Sequence, residues 1–143
     1  MAIIMKNLWL ALIFFLVESL ATSFFMSAFQ FYIRISKNFD KVFLFFARDI
    51  FFAFTARIYF LQIISELLII FIIIRFDGWD KIGLIILGVF MSVVIWSCLL
   101  CVFFSFDFGI GMLQLAILKN GLPLFLGTLF AWWFCYKWLG LRV

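Results

Sequence analysis

The sequence predicts an all-α integral membrane protein: about four transmembrane helices plus one or two interfacial helical segments, forming a single membrane domain over residues 1–143. Three observations carry that prediction. Hydrophobic residues make up 69% of the chain and charged residues only 13%, too little polarity to clothe a water-soluble domain of this size. Mean hydropathy is +1.32, which suits a chain whose exterior is covered by lipid. The apolar residues also gather into long runs, several near the 20 or so residues needed to cross the hydrocarbon.

The first run, Leu8–Ile33, is interrupted among strongly polar residues only by Glu18 and Gln30. Its start, Met5-Lys6-Asn7 followed by Leu8–Val17, imitates a signal peptide, and Ser19-Leu20-Ala21 imitates a small-x-small cleavage site. The run continues well beyond Ala21, as an anchor does, so it is read as a retained span. Arg34–Asp40 is the first polar break.

Residues 42–57 are Phe-rich but carry Arg48-Asp49 in their middle and end at Arg57. Lys41, Arg48 and Thr55 recur at seven-residue spacing on one side of a helix, with Phe43, Ile50 and Phe54 opposite. That pattern fits a helix lying in the interface; the alternative is an N-terminal extension of the next span. The second span is residues 59–74, with Glu66 near its middle, and Asp77-Gly78 supplies a turn within Arg75–Lys81. The third span, 82–106, contains no charge, and Asp107 ends it. Phe108–Leu118 is too short to cross unaided. It either lies flat or extends the last span across a break at Asn120-Gly121. The fourth span is 121–138, with Pro123 near its start, where helices tolerate proline. Trp132, Trp133, Tyr136 and Trp138 around Lys137 make an interfacial anchor.

Four crossings place the N-terminal end, the 75–81 turn and the 138–143 end on one side. Trp9, Trp79, Trp132, Trp133 and Trp138 then lie near one interface, with Trp96 alone in mid-span. Orientation stays open. Lys6, Arg75, Lys81, Lys137 and Arg142 on one side face Arg34, Lys37, Lys41, Arg48, Arg57 and Lys119 on the other, which is no usable bias.

The net charge of +4 comes from scattered residues, so it speaks for headgroup contact and not for nucleic acid. Cys98 and Cys101 form a C-x-x-C, and Cys135 stands apart; with no histidine and no second cysteine pair, neither a metal site nor a redox pair is expected. No cofactor motif is present: Gly109-x-Gly111 is too short for a phosphate loop and has no following lysine. Nucleophile–base arrangements are likewise missing, so the sequence argues against an enzyme.

Chemistry concentrates on two intramembrane carboxylates, Glu18 and Glu66, which are functional candidates because charge is costly in lipid. Around Glu18, in the same half of the first span, lie Ser19, Thr22, Ser23, Ser27 and Gln30. Ser19, Ser23 and Ser27 repeat every four residues, a small-residue stripe that lets helices approach closely. The two readings are a packing seam with a satisfied glutamate and a proton or cation site, with the seam preferred. Phe14 is expected to face lipid.

In overall size and hydrophobicity the chain resembles a loose class of small, polytopic, Phe-rich proteins that act by touching a larger membrane machine. Exclusion and superinfection-immunity proteins of mobile elements belong to it, as do small accessory subunits of respiratory and transport complexes. The resemblance carries no residue across. It implies an interaction protein that recognises, blocks or completes a membrane assembly, most simply in a bacterial inner membrane. Its partners would be the lipid bilayer and a larger membrane complex, or further copies of itself. The alternative is a small oligomeric secondary transporter using Glu18 as its coupling carboxylate. A pore-forming holin, supported by size alone, is third.

Overall fold

The computed structural model describes residues 1–34, 47–48, 50–51, 55 and 62–141. Among these the ordered elements are all helical. Helix α1 runs Ala2–Arg34, α2 Gln62–Arg75, α3 Ile82–Phe103, α4 Phe106–Gln114 and α5 Gly121–Trp133. A π-helical turn, Leu115–Lys119, follows α4, and a second, Phe134–Trp138, follows α5. Helix α1 is uninterrupted for 33 residues because no glycine or proline occurs in it. At 1.5 Å per residue it is about 50 Å long, well beyond an apolar layer of about 30 Å.

By length and composition, Ala2–Gln30 and Ile82–Phe103 can each cross a membrane. A third crossing is added if Phe106–Lys119 and Gly121–Trp138, bent by 67° at Asn120, count as one broken span. The described part of the expected second span is the 14-residue α2, and residues 59–61 lie outside the described residues. So does most of the 42–57 segment expected at the interface.

Helix α1 packs against α2 on one flank and α5 on another; α2 packs against α3, and α3 reaches α5 to close a four-helix ring. Helix α4 folds back along α3. The core of the ring gathers Leu10, Ala11 and Phe14 of α1, Ile70 and Ile74 of α2, Ile85, Val89 and Val93 of α3, and Leu124 and Ala131 of α5.

The local stops are readable in the residues. Helix α2 ends in a Schellman motif: Gly78 N–H donates to Ile73 O at 2.9 Å and Asp77 N–H to Ile74 O at 3.2 Å. The left-handed position is held by Asp77, φ +53, one of the few non-glycine types that tolerate it. Gly78 is needed for closeness, since a Cβ there would lie 2.9 Å from Ile73 Cγ2. The third span stops before the predicted position 106, because Ser105 takes extended backbone and its hydroxyl caps α4 by accepting from Phe108 N–H at 3.2 Å. Asp107 thus belongs to the first turn of α4, where a negative charge meets the helix dipole favourably.

One aromatic expectation is corrected. Phe14 is fully buried and meets the Trp79 ring edge-on at 5.5 Å. Trp79 is itself only 2% exposed, so it is a core residue of the turn. Trp9, Trp133 and Trp138 do stand exposed, and Trp96 is buried.

Candidate functional site

The interior of the ring is polar as well as apolar. Helix α1 has an inward side spanning more than half of its circumference, because it packs on two neighbours. Glu18, Ser19, Thr22, Ser23 and Ser27 all fall on that side, none more than 3% exposed. Glu66 of α2 is fully buried, with Gln62 and Ser65 beside it. All six candidates from the sequence therefore sit inside the chain's own bundle.

The two carboxylates lie on helices that pack against each other, Glu18 on α1 and Glu66 on α2, and both are fully buried.

Local bonding explains how so many hydroxyls are tolerated there. Thr22 Oγ1 donates to Glu18 Oε1 at 2.7 Å, one helical turn away. Ser23 donates to Ser19 O at 2.7 Å. Ser92, Ser97 and Thr128 likewise donate to Val89 O, Val93 O and Leu124 O at 2.6, 2.9 and 2.7 Å. Ser65 donates to Gln62 O at 2.9 Å and lies 3.3 Å from Ser92 O, touching α3. The Ser19 hydroxyl, fully buried, has no hydrogen-bond partner among the described residues.

The backbones of α1 and α5 approach closely at Thr22 and Gly127. A Cβ on Gly127 would lie 2.7 Å from Thr22 N and 2.8 Å from Thr22 Cα, so the backbones are in direct contact beside the Glu18–Thr22 pair. Gly109 of α4 plays the same part against α3, where a Cβ would meet Cys101 N and Ser97 O, each at 2.7 Å. Neither contact is foreseeable from spacing, because the partner of each glycine is set by tertiary packing. Ser92, Ser97 and Thr128 stand alone in their sequence runs yet line the same interior. Their signal was polarity inside an apolar helix, which lipid disfavours.

Outside the ring, the exposed faces of α2 and α3 bound an open apolar groove of about 850 Å³, lined by Ile64, Leu68 and Ile72 on one wall and by Ile95, Leu99 and Phe103 on the other. Among the described residues no group of three or more His, Cys, Asp or Glu side chains is placed to hold a metal ion. No family model matches the chain, and neither a curated protein nor a solved structure is similar to it.

Proposed function

We propose that this chain is a small polytopic membrane protein that acts by protein–protein contact within the bilayer, recognising, blocking or completing a larger assembly. An accessory subunit and an exclusion or immunity protein are the two forms this takes, and a bacterial inner membrane is the setting we favour. The observation that carries the reading is the division of the surface. Polar groups of α1, α2, α3 and α5 point into the ring, while large apolar side chains cover much of the outside. What the protein offers a neighbour in lipid is shape, and the α2–α3 groove is a contoured part of that surface. The serine stripe, first motivation for a docking seam, is used internally, so recognition falls to this outer face.

Purification from native membranes in mild detergent tests the reading. A larger membrane partner in fixed stoichiometry supports it, with Leu68→Ala and Leu99→Ala weakening the association. Recovery of the chain alone or as a bare homodimer rejects it.

A second reading is favoured by one specific observation, the two fully buried carboxylates on packed helices. In a small oligomeric transporter Glu18 would bind and release a proton or cation. Glutamine keeps the shape and can still accept from Thr22, but it cannot titrate. Glu18→Gln therefore preserves function in an interaction protein and abolishes it in a transporter, at matched membrane levels. Glu18→Leu removes the acceptor for Thr22 and impairs both.

A further inference from the structure

We infer that Leu139–Leu141 form a strap locking the α2–α3 hairpin to the α1–α5 pair, and that its release frees the hairpin to shift. After the π-helical turn the chain reverses at Gly140, whose φ of +62 is left-handed. Leu139 N–H donates to Phe134 O at 2.8 Å and Leu141 N–H to Cys135 O at 3.0 Å, folding the segment back on the end of the helix. Leu141 O then accepts from Trp79 Nε1 at 2.8 Å. Trp79 stands in the turn joining α2 to α3, so this bond ties the strap to the hairpin.

The hairpin is held at the same point from two other sides. Trp132 Nε1 of α5 donates to the Trp79 carbonyl at 2.8 Å, and Phe14 of α1 packs on the Trp79 ring. Trp79 is thus the one residue of the turn where α1, α5 and the strap converge.

The strap itself buries little. Leu139 is 44% exposed and Gly140 is exposed, so its closure rests on these hydrogen bonds and on the one partly buried side chain of Leu141, which packs against the core. Segments with few buried contacts open at the low end of a protein's stability range. Each net hydrogen bond is worth roughly fivefold in a closed-to-open ratio. The hairpin carries Glu66 and the pair it is locked to carries Glu18, so the strap governs the register between the two buried carboxylates. This holds whichever of the two functions applies.

The test is hydrogen exchange at the tryptophan indoles and the backbone amides of the full chain in mild detergent. Two variants are compared with it: a chain ending at Gly140, and Gly140→Ala, which keeps the length but strains the reversal. Trp132 is the reporter, because neither change touches it or the Trp79 carbonyl it binds. The expected result is about fivefold faster exchange at the Trp132 indole in both variants, with Ile85 and Val89 amides of α3 unchanged. Unchanged exchange at Trp132 overturns the proposal, since the hairpin is then held without the strap. Equal acceleration at Ile85 and Val89 also overturns it, because the segment is then part of the cooperative core.

Discussion

Gly127→Ala puts the α1–α5 contact to a quantitative test. The added Cβ would stand 2.7 Å from Thr22 N and 2.8 Å from Thr22 Cα, whereas carbon atoms rest at about 3.5–4.0 Å. The shortfall is about 0.7–1.3 Å, and although the Thr22 hydroxyl could turn away, the Thr22 backbone atoms also obstruct, so no rotamer change removes it. The helices must separate. A gap of 0.5–1 Å forfeits roughly a quarter to a half of each dispersion contact along the seam, and overpacking of this kind costs about 1–3 kcal/mol. That is roughly a 5- to 150-fold shift in the folding equilibrium. Gly111→Ala is the matched control: its Cβ meets nothing within 4 Å, and alanine is the better helix former by about 1 kcal/mol. Denaturant unfolding in mild detergent, followed by circular dichroism, should show Gly127→Ala well below wild type and Gly111→Ala level with it or above. A Gly127→Ala protein as stable as wild type, or equal losses in both variants, would refute the close-contact argument.

Ser23→Leu should destabilise by about 1–3 kcal/mol in the same assay, because the site is fully buried, while Leu20→Ala, on the exposed side, should change little; Ser23→Ala should also be mild. Gly109→Ala should loosen α4 from α3, read as faster amide exchange confined to residues 106–119. Trp132→Phe keeps the ring but loses the bond to Trp79 O, and should cost about 1 kcal/mol in unfolding free energy. Reporter fusions before Lys6 and after Trp138 should give the same compartment and fusions within 34–41 the opposite one; opposite compartments for the first two would end the four-crossing arrangement.

Much of the architecture is legible in the residues because lipid leaves so few options. The run 121–138 coincides with α5 and its π-helical extension, and α1 extends past the predicted 8–33 at its start because Ala2–Asn7 contain no helix breaker. The inward position of Glu18, Ser19, Thr22, Ser23, Ser27 and Glu66 is legible through polarity alone. Apolar residues give no such signal. In α1 and α3 large apolar residues lie on the outside as well as the inside, so the periodicity that separates inside from outside in a soluble helix is missing, and Phe14 and Trp79 carry nothing to mark them as core. The stop at Ser105 is present as a capping residue ahead of an acidic first turn, yet the phenylalanines on both sides of it, Phe103, Phe104, Phe106 and Phe108, mask the boundary.

The hydroxyls of Ser23, Ser65, Ser92, Ser97 and Thr128 each return their proton to a carbonyl three or four residues earlier on the same helix. A segment bonded this way has met most of its polar obligations before it finds a neighbour, so on the proposed membrane reading it is stable in lipid as an independent rod. Assembly then becomes largely a sorting of rods by contour, with the bonds at Trp79 made once the helices have met. For a protein of this size, that makes the order of helix insertion less consequential than the fit of Gly127 onto Thr22 once all the rods are present.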